Sequence, residues 1–95
     1  MYEILFEKKA EKKFLSLEKK TQEVFKEILD KLEKDPFDKT LNTKKLHTPF
    51  DGFRVRKGKF LMLFTIENKT ITIFKVGPRK NIYKSGLKLS LPFSE

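Results

Sequence analysis

Arginine and lysine are concentrated in one stretch of the chain, residues 52–84. This stretch holds nine of the 22 basic residues and a single acid, Glu67, so it carries +8 of the net charge of +9. All three arginines, Arg54, Arg56 and Arg79, lie in it. A planar guanidinium donates paired hydrogen bonds that match phosphate oxygens, and a basic excess confined to one region is typical of polyanion-binding surfaces. The stretch therefore predicts a nucleic-acid-binding surface.

Three strand-like runs would position these cations. Residues 53–57 alternate apolar and basic side chains, residues 60–66 are almost wholly apolar, and residues 70–76 are rich in β-branched side chains. A short turn sequence follows each run, which predicts an antiparallel meander. The predicted turns are Lys57-Gly58-Lys59, Glu67-Asn68-Lys69 and Gly77-Pro78.

Alternation along the first of these runs separates its side chains into two sets. Because successive side chains of a strand point to opposite faces, Arg54 and Arg56 share one face. Phe53 and Val55 then face the core. The sequence thus predicts a basic face and an apolar face of the same sheet.

The N-terminal part predicts one strand and two helices. Residues 2–6 are short, apolar and aromatic, which favours a strand. Apolar residues at helical spacing predict one amphipathic helix over residues 7–17 and a second over residues 21–34, with Thr21 as its N-cap and Asp35-Pro36 as its end. Two such helices joined by a short turn form a hairpin that packs its apolar sides on a sheet.

The predicted fold is therefore an α+β domain with the order β-α-α-β-β-β and both helices on one sheet face. Residues 36–51 are expected to form a polar loop anchored by apolar side chains. The predicted domain covers residues 1–84, and residues 85–95 form a C-terminal tail that either adds a short edge strand or is a docked or mobile terminus. The expected anchors of the loop are Phe37, Leu41, Leu46 and Phe50.

Composition excludes several classes of site. The chain has no cysteine, so disulfides and thiolate metal sites are excluded, and no cluster of ligand residues predicts a metal or cofactor. No apolar run approaches the length of a membrane span and the N-terminus lacks a signal-peptide pattern, which favours the cytoplasm. His47 is the single histidine, but a lone loop histidine is more often incidental than catalytic. Asp51 is interpreted as a turn residue.

In element order and in three motifs, the sequence resembles the RelE/ParE toxin superfamily of bacterial and archaeal toxin–antitoxin systems. The resemblance covers about residues 2–84. Family members typically have a basic pair at alternating strand positions, a glycine turn followed by an aromatic-arginine step, and a valine-glycine-x-arginine segment that ends in a tyrosine. The matching motifs are Leu46 with GFRVR at 52–56, GKFLMLF at 58–64 and VGPRKNIY at 76–83.

The resemblance implies an endoribonuclease that cuts mRNA in the ribosomal decoding site without metal or cofactor. In RelE-like members, the ribose 2′-OH attacks the adjacent phosphate in line. The resemblance implies catalytic roles for Arg54, Arg56, Arg79 and Tyr83, whereas Leu61 stands where many members carry arginine. The lysines expected to bind RNA are Lys57, Lys59, Lys75, Lys80 and Lys84.

In-line cleavage needs a base for the 2′-OH, positive charge on the phosphorane, and an acid for the leaving oxygen. Arginine supplies the positive charge but stays protonated, so it is a poor base. The base could be Lys57, Lys80 or Tyr83, because neighbouring cations favour the deprotonated form of each. It could also come from the substrate or the ribosome.

Two alternatives to mRNA cleavage follow from the same resemblance. ParE-like members share the fold but poison DNA gyrase, and a decayed RelE-like protein would bind without cutting. In every case the resemblance implies a small RelB-like antitoxin. A basic groove suits an acidic, partly disordered partner that folds on binding, and the pair could assemble as a toxin–antitoxin heterotetramer.

Overall fold

The computed structural model describes residues 1–46 and 52–80 of the chain, and within these ranges two helices pack on one face of a five-stranded sheet. The predicted α+β architecture is confirmed. The elements are β1 (Glu3–Phe6), α1 (Lys8–Ser16), α2 (Lys19–Lys34), a 3₁₀ helix (Lys39–Leu41), β2 (Lys44–Lys45), β3 (Gly52–Lys57), β4 (Phe60–Glu67) and β5 (Thr70–Pro78).

The sheet has the order β1-β5-β4-β3-β2. Strands β3, β4 and β5 form the predicted antiparallel meander, and two-residue turns join them. Gly58 and Asn68 begin these turns with φ of 60° and 57°, the left-handed region that glycine and asparagine tolerate best. β1 pairs in parallel with β5, so the sheet is mixed.

The turn predicted at Gly77-Pro78 is wrong. β5 continues through both residues, which pair with Leu61 and Phe60 of β4. β1 pairs with β5 only as far as Ile73. Beyond Ile73, no described strand pairs with the side of β5 that faces away from β4. Pro78 has no N–H to donate, and proline is tolerated at such an unpaired strand edge.

The N-cap predicted at Thr21 is also wrong, because α2 begins two residues earlier with Glu18 as its N-cap. The two helices are joined through Leu17 and Glu18 alone. The Gln22 side chain closes this junction by donating hydrogen bonds to the carbonyl oxygens of Leu15 (3.2 Å) and Leu17 (3.1 Å). These bonds satisfy carbonyls at the end of α1, which otherwise lack helical partners.

Residues 35–46, the described part of the segment between α2 and β3, have regular structure where a loop was predicted. They contain the 3₁₀ helix and β2, which adds a fifth strand at the edge of the sheet. Leu41 and Leu46 are buried, as expected of anchors. Phe37 is 55% exposed, so its prediction as an anchor is wrong, although its ring lies edge-on to Phe53 at 5.4 Å. Phe50 lies outside the described residues.

The hydrophobic core lies between the helices and the sheet face that they cover. Phe25 of α2 is at its centre, fully buried, with its ring centroid 6.4 Å from that of Phe14 and 5.8 Å from that of Phe60. Strand residues such as Met62 and Phe64 complete the core. One helix hairpin and one sheet face thus account for most of the apolar burial.

Asp38 fixes the 3₁₀ helix through its carboxylate. Its Oδ1 accepts hydrogen bonds from the backbone N–H (2.8 Å) and the hydroxyl (2.6 Å) of Thr40, and Lys31 Nζ donates to the same hydroxyl at 2.9 Å. These hydrogen bonds hold the pKa of Asp38 below its ordinary value, and the nearby Lys31 lowers it further.

We expect Asp38→Ala to lower the melting temperature near neutral pH and to lose this effect in acid. A depressed folded-state pKa gives stability above the unfolded-state pKa, and that stability is lost as the pH falls through the folded-state value. Thermal unfolding of both proteins from pH 7 to pH 2 tests this. A difference in melting temperature that stays constant from pH 7 to pH 2 would contradict this prediction. Thr40→Val removes the same hydroxyl hydrogen bond, so it should also lower the melting temperature near neutral pH.

Candidate nucleic-acid interface

β3 presents its two arginines on the sheet face that the helices do not cover. Phe53 and Val55 pack with the core that α1 and α2 form. Arg54 and Arg56 alternate with them and therefore lie on the opposite face, as predicted. We call this opposite surface of the sheet the arginine face.

The strand register brings further residues into line with Arg54 on the arginine face. Lys44 of β2 stands directly opposite Arg54, Leu63 of β4 stands on its other side, and Lys75 of β5 lies next to Leu63. Neighbouring strands are about 4.8 Å apart, so Lys75 lies about 10 Å from Arg54 along this row. Sequence reasoning missed Lys44, because a two-residue strand is too short for periodicity to show.

The two arginines differ in access. Arg56 is exposed, whereas Arg54 is 6% exposed, although both interact with other residues. Arg56 can therefore meet a ligand in the arrangement observed. Arg54 can reach a phosphate only after the residues around it move.

Leu61 stands in the next row of the arginine face, between Arg56 and Gly77. Its side chain is fully buried. This is the position at which the resemblance leads one to expect arginine. The row therefore has one exposed cation next to an enclosed apolar residue.

Arg56 and Lys57 also line a cleft of about 410 Å³ between β3, α2 and the 3₁₀ helix. The α2 side of the cleft contributes two acids, Glu27 and Asp30, as well as Lys31. This cleft therefore has charges of both signs. Its acids would repel a polyanion, so the arginine face is the better candidate for polyanion binding.

Arg79 lies in a different place, directly after β5. Its backbone N–H donates to the carbonyl oxygen of Lys59 at 2.8 Å, at the point where the chain leaves the sheet. Its side chain is half-buried and lines a cleft of about 610 Å³ together with Lys59, Phe60 and Lys80. The opposite wall of the cleft is the α1–α2 junction. We call it the junction cleft.

The structure thus divides the predicted site residues into three groups. Arg54 and Lys75 share a row of the arginine face. Arg56 and Lys57 border the cleft between β3, α2 and the 3₁₀ helix. The remaining described cations border the junction cleft: Lys59, Arg79 and Lys80. The predicted residues outside the described part of the chain are Tyr83, Lys84, His47, Asp51 and the tail 85–95.

Phe60 and Phe53 belong chiefly to the core. Both pack against the buried cluster, and Phe53 stacks on Phe64 with ring centroids 5.9 Å apart. One part of Phe60 also borders the junction cleft, where Lys59 Nζ lies 5.8 Å from its ring centroid. A ring and a cation are thus held together at the wall of that cleft.

The described residues lack both a metal-binding cluster and a membrane-spanning helix. In residues 1–46 and 52–80, no group of three or more His, Cys, Asp or Glu side chains is arranged to hold a metal ion. None of the helices in these ranges has both the length and the apolar character needed to cross a membrane.

Comparisons with known proteins give matches at the level of structure. No model of a protein family and no curated protein matches the sequence. A chain of the archaeal RelE–RelB complex from Pyrococcus horikoshii OT3 is 30% identical with a TM-score of 0.71, and the match covers 82% of this chain and 94% of that one.

Two other solved structures share the fold at lower identity. The RelB–RelE antitoxin–toxin complex from Methanococcus jannaschii has a TM-score of 0.73 at 23% identity, covering 86% of this chain and 98% of that chain. The isolated E. coli RelE toxin has a TM-score of 0.70 at 20% identity, covering 93% and 97% respectively.

Proposed function

The chain belongs to the RelE toxin family, and on that premise we propose that it is the toxin of a toxin–antitoxin pair and acts as a ribosome-dependent endoribonuclease. Its substrate is mRNA on the ribosome, in the cytoplasm. The reaction is in-line attack of a ribose 2′-OH on the adjacent phosphate. It forms the new P–O2′ bond, breaks the P–O5′ bond and requires no metal.

The observation that carries this proposal is the placement of like charges opposite each other on the arginine face. Lys44 is in register with Arg54, and Arg56 lies in the next row. Lys44 and Arg56 are both exposed, and cations grouped on one surface are typical of proteins that bind nucleic acid.

The proposed chemistry assigns charge stabilisation to arginine and proton transfer to other groups. Arg56 would donate hydrogen bonds to the equatorial oxygens of the phosphorane, where negative charge develops, and Arg79 would reach the same phosphate from the border of the junction cleft. Arg54 would join them once exposed. Lys57 lies beside Arg56, and Lys80 lies beside Arg79. Either lysine, or Tyr83, could transfer the proton.

Mapping of new 5′ ends in cellular mRNA after a short induction tests the proposal. We expect cuts at a fixed position within translated codons, and their loss when translation initiation is blocked. Uncut transcripts alongside arrested growth would contradict it. Co-expression of the antitoxin is the control, since it should suppress both cutting and arrest.

The proposed partner is a RelB-like antitoxin. The family structures from Pyrococcus horikoshii and Methanococcus jannaschii are complexes with RelB, which supports this assignment. We expect the protein encoded by the adjacent small reading frame to co-purify with the toxin as a heterotetramer. Affinity capture followed by light scattering of the complex tests this, and recovery of the toxin alone would contradict it.

A second candidate is a family member that does not cut RNA, either a ParE-like gyrase inhibitor or an inactive RelE-like protein. The burial of Leu61 and Arg54 favours it, because two of the expected phosphate ligands are then lost or enclosed. A DNA supercoiling assay with purified gyrase separates the two versions, since only the inhibitor would block supercoiling.

We expect Leu61→Arg to lower the melting temperature without a gain in mRNA cleavage. Leu61 is fully buried beside Arg56, so the new guanidinium would be desolvated next to a like charge. Leu61→Met, which preserves volume and polarity, should cost less than about 1.5 kcal/mol. Increased cleavage by a fully stable Leu61→Arg protein would contradict this and show that leucine reduces activity.

A further inference from the structure

The junction cleft has features of a nucleotide site on both of its walls. Its strand wall carries Lys59, Arg79 and Lys80, together with the edge of Phe60. Its helical wall is the α1–α2 junction, with Glu18 and Thr21. The volume of about 610 Å³ lies within the range of small-ligand sites.

The helical wall is held in place before any ligand binds. Gln22 is hydrogen-bonded to carbonyls of Leu15 and Leu17, and the Leu17 N–H donates to the Phe14 carbonyl at 3.1 Å. Phe14 itself is buried in the core. The short junction is therefore fixed to the rest of the domain, and a site built on fixed elements loses little entropy on binding.

Glu18 is a carboxylate that its own helix does not use. It occupies the N-cap position of α2, yet its side chain accepts no capping hydrogen bond. It is exposed, and among the described residues the other charged side chains that line this cleft, Lys59, Arg79 and Lys80, are basic. A carboxylate repels phosphate but accepts hydrogen bonds from N–H donors, such as those on the edge of a base.

We infer that the junction cleft is a second RNA subsite, in which Lys59 and Lys80 hold a phosphate next to the scissile one and Glu18 accepts a hydrogen bond from an amino group of the base. The inference rests on the proposed action on RNA. Arg79 lies at the boundary between this subsite and the reacting phosphate. Single-stranded RNA is commonly recognised through the edges of its unstacked bases, which such a cleft would accommodate.

The chemistry of Glu18 gives the subsite a preference among bases. Cytosine presents an amino group at the position where uracil presents a carbonyl oxygen, and the two rings are the same size. The amino group donates to a carboxylate, whereas the carbonyl oxygen is repelled by it. The subsite should therefore favour cytosine over uracil, and amino-bearing bases in general.

The test is a binding measurement with RNA that cannot be cut. Fluorescence anisotropy with the full chain would compare labelled pentacytidylate and pentauridylate, both 2′-O-methylated so that they lack the attacking hydroxyl. We expect about tenfold tighter binding of the cytidine probe, the effect of one hydrogen bond to a charged group. Equal binding of the two probes would overturn the inference.

Two kinds of variant separate base reading from phosphate binding. In Glu18→Gln the side-chain amide can both donate and accept, so the preference for cytosine should fall to within about twofold. In Lys59→Ala and Lys80→Ala both probes should weaken equally, and the slope of log Kd against log salt should fall by about 0.7 for each lost phosphate contact. Lys69→Ala, at the far end of β5, is the control.

Other outcomes would each reject a defined claim. An undiminished preference for cytosine in Glu18→Gln, or an unchanged salt slope in both lysine variants, overturns the subsite. Weaker antitoxin capture with unchanged RNA binding in these variants makes the cleft a protein-docking surface and also overturns it. If cellular transcripts stay uncut but the protein binds the cytidine probe more tightly than the uridine probe, the cleavage proposal is rejected and the subsite is supported.

Discussion

Replacing Arg79 with alanine should abolish growth inhibition while the domain stays folded. The hydrogen bond from Arg79 to the Lys59 carbonyl is donated by the backbone N–H, which alanine retains. The guanidinium, by contrast, is the group proposed to meet the developing charge of the phosphorane. Loss of one such donor typically costs about 10²–10³ in rate.

The measurement combines growth after induction, mapping of mRNA 5′ ends, and circular dichroism of the purified protein. Arg79→Lys is the graded variant, since it keeps the charge but not the paired hydrogen bonds, and it should retain part of the activity. Lys69→Ala removes a cation at the other end of β5, next to the Tyr2 ring, and should leave inhibition unchanged. Full toxicity of a folded Arg79→Ala protein would reject the assignment.

Replacing Phe25 with alanine should produce the largest loss of stability of any single change considered. Phe25 is fully buried and its ring meets those of Phe14 and Phe60. Truncation of a buried phenylalanine typically costs about 3–5 kcal/mol. The total stability of a small domain is about 5–15 kcal/mol, so the variant should be close to unfolding.

Chemical denaturation followed by circular dichroism measures this effect, with Phe25→Leu as an intermediate step. Phe37→Ala is the matched control, because it removes the same atoms from a side chain that is 55% exposed. A loss of less than about 1 kcal/mol in Phe25→Ala would contradict its place at the centre of the core. The variant should also weaken the junction cleft, since Phe60 forms part of its wall.

Local sequence patterns were sufficient to predict the strands and helices whose apolar side chains recur with a regular period. Alternation over residues 53–57 predicted the two faces of β3, and apolar spacing predicted the helical hairpin. These predictions succeed because side-chain direction follows directly from the backbone period. The glycine and asparagine turns were predictable for a similar reason, since few residues tolerate positive φ.

The ends of elements were predicted less well, because neighbours in space decide them. Thr21 is a good N-cap in isolation, but Gln22 bonds to the end of α1 and the helix begins at Lys19. Gly77-Pro78 is a good turn sequence, but pairing with β4 keeps both residues in β5. In each case a contact with another element outweighed the local preference.

The sequence by itself determined which residues are basic, that they concentrate around the meander, and that Arg54 and Arg56 share a face. Only the tertiary structure decided that Arg54 is enclosed, that Lys44 stands opposite it, and that Arg79 lies in a separate cleft beside the α1–α2 junction. Charge and alternation are properties of the chain, whereas exposure and proximity depend on strand register and on which elements pack together.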